Sequence, residues 1–199
     1  MPSAQKVKLS MIKFFFSPST SSLATHIALI ESGAEYELHP TLMAKRETRA
    51  PEYLAINPAG KVPALVTGNG TVITEVAATL YYLARLHPNA DLWPQDDLEA
   101  ETQVISWMSF AASTMHSARL QGLEAIAESF EVANKKFAGS EWCIGRYSIA
   151  DIHVFRVFWR FRREIDAAPG TYPALEYHHD RMLARSSVQQ AMEIEKSHG

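Results

Sequence analysis

The loop "NADLWPQDD", Asn89–Asp97, constrains the fold more than any other stretch, because the hydrophobic period changes across it. Before it, short β-prone runs alternate with helical ones; after it no convincing strand follows, and apolar residues recur at helical spacing to the end. Ile12 to Phe16 is a β-prone run ended by Ser17-Pro18, and Leu23, Ile27 and Ile30 then mark a helix that stops at Gly33. "YELHPTL" predicts a second strand, with Pro40 placing it at a sheet edge or a strand end. "ALVTGNGTVIT" predicts a hairpin, Ala64 to Val66 and Thr71 to Ile73, around a Gly-Asn-Gly turn. From Thr74, the expected cap, Val76, Leu80, Leu83 and Ala84 mark a helix ending at Pro88.

The order is βαβ, then ββα, then four helical segments: "LEAETQVISWMSFAASTMHSARLQGLEAI", "ESFEVANKKF", "SIADIHVFRVFWRFRRE" and "YPALEYHHDRMLARSSVQQAMEIEK". An α+β unit over residues 12–88, a linker over 89–98 and an all-α unit over 99–199 are expected. With 47% apolar residues in 199, the chain has material for a packed core. A formal charge of −3 gives no field for gathering phosphates, so no nucleic-acid partner is expected. "MPSAQKVKLS" lacks an apolar core of signal-peptide length and Met11 opens a more conventional start, so the first ten residues are set aside. No apolar run is long enough to span a bilayer, and the single cysteine, Cys143, excludes an internal disulfide; a cytoplasmic protein without a membrane partner is expected.

Several clusters carry chemistry. Ser19, Thr20, Ser21 and Ser22 stand in a row at a helix start, where hydroxyls cap. In "NPAGKVPALV", Gly60 permits a turn, and Val62-Pro63 precedes a strand whose edge can pair with an extended ligand. Glu75 opens a helix, where a carboxylate gains about 0.3–1 kcal/mol from the macrodipole. Ser109, Ser113 and His116 lie at i, i+4 and i+7, a polar stripe on an otherwise apolar segment. Ser148-x-x-Asp151 makes a capping box, with Tyr147 and Ile152 as its staple. Cys143, between Trp142 and Ile144, reads as a buried small hydrophobe rather than a nucleophile. Arg156, Arg160 and Arg163 form a basic helical stripe, read as a solvated face. His178 and His179 point to different sides of a helix without a third ligand, and no metal is expected.

"NPAGKVPALV", the glutamate of "VITEVAATLYYLA" and the cap box of "GRYSIADIHVF" together resemble the soluble glutathione transferases, most nearly the bacterial beta class, from Ile12 to "YPALEYHHDRMLARSSVQ". The resemblance implies a thioredoxin-like first domain, a cis Pro63, and main-chain hydrogen bonds between Val62 and the cysteinyl part of glutathione. It implies that Glu75 and the Val76 amide hold the γ-glutamyl end, that Lys45 in "LMAKRE" faces the glycyl carboxylate, and that His116 reaches the catalytic end, with Ser109 and Ser113 as the far wall. Purely structural roles stay open for Glu75, Lys45 and His116. A hydrophobic electrophile would lie among Phe16, Trp107, Phe110 and Trp159, and a homodimer is implied.

The chain departs from the beta class in having Ser21 where that class has cysteine and Phe16 where it has tyrosine, and in a shorter span between His116 and Trp142. A helix N-terminus adds at most about 2 kcal/mol to a nearby anion, or roughly 1.5 pKa units at about 1.36 kcal/mol each. That acts usefully on glutathione's thiol, near about 8.5, and cannot ionise an aliphatic hydroxyl. Ser21, with Thr20 as the alternative, is therefore expected to donate a hydrogen bond to a glutathione thiolate, and thiol-disulfide exchange through this position is disfavoured. The expected activity is glutathione transfer to an electrophile. A glutathione-dependent isomerase, dehalogenase or ether-cleaving enzyme, and a non-catalytic binding module, are the alternatives.

Overall fold

Alternation along "IKFFF" buries Ile12, Phe14 and Phe16 and leaves Lys13 exposed, so β1, Ile12–Phe16, presents one face to the core. The computed structural model describes residues 11–199; the opening "MPSAQKVKLS" lies outside the described residues. Helix α1, Ser22–Ser32, ends where Gly33 turns at φ 66° and its N–H reaches Ile30 O. β2, Tyr36–Pro40, runs parallel to β1 at the sheet edge, with Pro40 opposite Phe16 at the strand's end. β3, Ala64–Val66, and β4, Val72–Thr74, complete an antiparallel hairpin in the order β2-β1-β3-β4. Two 3₁₀ turns, Met43–Lys45 and Glu47–Arg49, and a short α2, Pro51–Leu54, fill the connection between β2 and β3.

β4 begins one residue later than expected. The turn consumes Thr71, whose N–H donates to Thr67 Oγ1 at 3.1 Å and whose carbonyl accepts from Thr67 N–H at 2.9 Å. Thr74 consequently ends a strand instead of capping a helix, and Glu75, at φ 68°, swings the chain into α3, Val76–Leu86.

The remaining helices are α4, Leu98–Phe110, α5, Leu123–Lys136, α6, Ile149–Phe161, α7, Pro173–Leu183, and α8, Ser186–Lys196. The long helical run expected from Leu98 is broken by a π-helical turn, Ala111–His116, and a 3₁₀ turn, Ser117–Leu120. Its serines explain the break: Ser113 Oγ donates to Ser109 O at 2.7 Å and Ser117 Oγ to Ser113 O, a competition with main-chain bonding that loosens helices. The capping box forms as expected, with Ala150 N–H on Ser148 Oγ and Ser148 N–H on Asp151 Oδ2 at 2.8 Å. It starts α6, which is buried along most of its length and packs on α1, α3, α4 and α7.

One buried cluster runs from Phe14 and Leu80 through Phe155 and Phe158, so both halves share a core. The chain end also returns to the first half: α8 packs on α1, and Glu195 faces His26 Nδ1 at 3.4 Å. Among the described residues no helix is long and apolar enough to cross a membrane.

Candidate active site

A cleft of about 770 Å³ opens between the N-terminal end of α1 and the wall made by α6 and the π-helical turn. On the first wall, Gly60 sits at φ 60°, where a Cβ would meet Thr48 O at 2.9 Å and Arg49 Nη1 at 2.7 Å; only glycine fits. Lys61 O is held from behind by the Tyr53 hydroxyl at 2.5 Å and Asn57 Nδ2 at 2.7 Å. These bonds aim the following Val62-Pro63 unit, which is cis, into the cleft. Glu75, exposed and held at positive φ, and Val76 line the same wall.

The hydroxyl row divides its labour. Thr20 Oγ1 donates to Ser17 O at 2.8 Å and lies 2.8 Å from Ser22 Oγ, while Ser22 Oγ accepts from Ser17 N–H at 3.2 Å; these two close the loop. Ser21 stands at the N-cap without capping, and its Oγ instead donates to Val62 O at 2.8 Å. Ser19, at φ 60°, is anchored through its N–H to Glu195 Oε2 at 3.2 Å.

The second wall is cationic. Arg156 is 4% exposed; its Nε donates to Thr20 O at 3.1 Å and its Nη1 lies 2.8 Å from His116 Nδ1. Among the described residues no carboxylate lies within ion-pair distance of Arg156; Glu195 attracts it only from farther away. Burial first, then Arg160 and Arg119, push the guanidinium down to about 9, which leaves it charged at neutral pH. His116 is held down at about 4 by burial, then by Arg156, Arg119 and Lys61, so its imidazole is neutral. Burial holds His153, also on this wall, at about 3.

The cleft thus gathers Thr20, Ser21, Val62, Pro63, Glu75, Val76 and His116. Lys45 is exposed on the first 3₁₀ turn and outside the cleft, which the αL residue Arg46 lines in its stead. Ser109 and Ser113 are exposed and also outside it, because the π-helical turn breaks the i, i+4, i+7 register that would have aligned them with His116. Phe16 is fully buried against Phe14 and His26, and Trp107 packs on Phe137; neither they nor Phe110 and Trp159 line the cleft, whose larger apolar side chains include Met43, Leu120 and Phe161.

The arginine stripe is likewise corrected: Arg156 is buried, Arg160 lines the cleft, and Arg163 lies exposed beyond the end of α6. The signal for Arg156 was present in "IADIHVFRVFWRF", since a charge inside a helix apolar on all sides must be buried. Arg119 and His153 carried no comparable signal.

Away from the cleft, Cys143, Asp151 and His178 bring potential ligand atoms within 4.8 Å of one another. Asp151 is already engaged, Oδ1 by Cys143 N–H and His178 Nε2, Oδ2 by Ser148, and burial together with Asp151 pushes the Cys143 thiol well up. The cluster serves the α6 cap.

The model of the glutathione S-transferase N-terminal domain matches residues 18–86, and that of the C-terminal domain matches residues 98–186. Glutathione S-transferase GstA of Escherichia coli O157:H7 is 29% identical over 92% of this chain and 98% of its own. A glutathione transferase homolog from Sulfitobacter, with bound glutathione, superposes with a TM-score of 0.86 at 30% identity, covering 92% of this chain and 98% of that one. The bacterial beta class enzyme of Sphingomonas chungbukensis gives 0.83 at 33% identity, with the same coverage.

Proposed function

The chain belongs to the glutathione S-transferase family and is a transferase, and from that premise we propose that it holds glutathione along Val62, Glu75 and Val76 with the sulfur at Ser21. The observation carrying this reading is the 2.8 Å bond from Ser21 Oγ to Val62 O. It puts a hydroxyl proton at the meeting point of the α1 N-terminus and the main chain that pairs with the cysteinyl unit. Ligand arrival lets that proton turn from the carbonyl to the sulfur.

Ionisation is favoured on three sides: by the Ser21 donor, by the α1 dipole, and by the charged Arg156, tethered one residue away at Thr20 O. Neutral His116 does not compete for the thiol proton, which leaves to solvent. The thiolate then forms an S–C bond, and the displaced electron pair departs with a leaving group or shifts into an adjacent unsaturation. The reading takes residues 12–88 as the glutathione domain, 89–98 as the linker and 99–199 as the helical domain. It carries a cytoplasmic homodimer acting on glutathione and an electrophile without a metal.

Calorimetry with millimolar glutathione, paired with conjugation of 1-chloro-2,4-dinitrobenzene, tests this. Ser21→Ala should lower kcat/KM about 10²-fold, the size of one lost oxyanion-type donor, while glutathione still binds. Absence of glutathione binding by the unmodified protein would remove the reading; an unchanged rate in Ser21→Ala would remove Ser21 from it.

A further inference from the structure

Six cationic side chains line the cleft, Arg46, Arg49, Lys61, Arg119, Arg156 and Arg160, against the single carboxylate of Glu75, in a chain whose net charge is −3. Glutathione accounts for only part of this excess. Arg46, Arg49 and Lys61 stand on the wall that carries Val62 and can meet the glycyl carboxylate. Arg156, bonded to Thr20 O, stands beside the sulfur. Arg119 and Arg160 remain, on the opposite wall, with no glutathione group left for them.

The hydrogen bonding around His116 points the same way. A neutral imidazole has one acceptor nitrogen, and a guanidinium only donates. Yet Arg156 Nη1 lies 2.8 Å from Nδ1 and Arg119 Nε lies 3.3 Å from Nε2. The shorter contact claims the lone pair, so Nε2 bears the proton and faces another N–H. An acceptor-only group between Nε2–H and Arg119 relieves this opposition. Arg160 is paired with Glu164 at 2.7 Å, a half-exposed i, i+4 contact of the kind that adds little and is readily exchanged for a better anion. Leu120 and Phe161 lie on the same wall and give a carbon skeleton its apolar contact.

Resting on the transferase reading and narrowing its substrate class, we infer that the electrophile is an organic anion, its carboxylate or equivalent oxyanion received by Arg119, Arg160 and the Nε2–H of His116. This replaces the purely hydrophobic electrophile that the sequence suggests.

Ethacrynate and its methyl ester test it, because the carboxylate is remote from the reacting enone and the two differ little in intrinsic reactivity. Each enzymatic rate is divided by the uncatalysed rate with glutathione. The acid should show a kcat/KM at least about tenfold higher, the size of a charge-assisted pair. Arg119→Gln and Arg160→Gln should each remove most of that preference, as should high salt. Equal values for acid and ester overturn the inference while leaving transfer itself intact. Should neither be conjugated while 1-chloro-2,4-dinitrobenzene is, this enone is not turned over and binding decides the inference. The protein saturated with S-methylglutathione is then titrated calorimetrically with the saturated dihydro acid and its ester, and equal or absent binding of the acid overturns it.

Discussion

The wall carrying Val62 and Glu75 is shaped by its main chain, whereas the wall carrying His116 and Arg156 is shaped by side chains. The first is made by local conformation: Gly60 at φ 60°, Glu75 at φ 68°, and a carbonyl held by Tyr53 and Asn57. The second joins α6 to a π-helical turn and the 3₁₀ turn that directly follows it, a pair well separated from α6 in sequence. Backbone recognition tolerates changes of side chain and fails when the backbone moves. Side-chain recognition rests on buried charge, which is costly to fold and useful only once a ligand answers it.

Arg156→Met should separate these costs most sharply. The substitution removes a countercharge beside the position proposed for the sulfur and should lower kcat about 10²-fold, some 2–3 kcal/mol of lost thiolate stabilisation. In the unliganded protein it removes a buried cation without a carboxylate partner, so the melting temperature should hold or rise by a few degrees. Steady-state kinetics and a thermal scan check both signs; a fall in both would make Arg156 a structural residue.

Gly60→Ala should do the reverse on the first wall. A Cβ at φ 60°, 2.9 Å from Thr48 O, forces the loop to move at about 1–2 kcal/mol in backbone strain alone. Glutathione affinity should drop about tenfold and the melting temperature should fall with it, as calorimetry and thermal scans would read. Val62→Ala, which keeps the same main chain, should leave affinity within about threefold.

The contrast also explains what was legible in the sequence. The alternation in "IKFFF", the Gly33 stop, the Ser148 capping box and the "NPAGKVPALV" loop are local, and each appears where the residues place it. Ser21 and Val62 belong to such segments, so the first wall was readable. Ser109, Ser113 and Lys45 lie outside the cleft, beside a π-helical turn and an αL arginine that depart from the regular spacing the sequence suggests. Arg119 reaches the site from the turn just after His116, three residues on, a local i, i+3 contact that the sequence reading passed over.

Acid should attack the helical wall. His153 titrates near 3 in the folded protein, because burial disfavours its charge, against an ordinary 6.5 when unfolded. Between those values the unfolded chain binds the extra proton, so stability is complete above about pH 6.5 and falls as pH drops toward about 3. From pH 6.5 to 5 this single group should cost about 2 kcal/mol, with His116 adding in the same direction. Melting temperature against pH should flatten in His153→Phe, which also removes the unpartnered Nδ1; an unchanged slope would place the acid-sensitive group elsewhere.

The smallest effect belongs to a contact that ties the chain end to the hydroxyl row. Glu195, 3% exposed on α8, accepts the Ser19 N–H at 3.2 Å and faces His26 Nδ1 at 3.4 Å, while His198 packs its ring 5.6 Å from that of Phe16. Glu195 is remote from the sulfur by two residues of loop and acts through Ser19, whose φ of 60° needs an anchor. Glu195→Ala strands a main-chain donor and frees the loop, at about 1 kcal/mol, and should lower kcat about fivefold with glutathione affinity little changed. Glu195→Gln keeps an acceptor oxygen in place and should recover most of the rate. Failure of that rescue would mean that the carboxylate charge, through its pull on Arg156, matters more than the bond to Ser19, and would tie the chain end to the side-chain wall instead of the main-chain one.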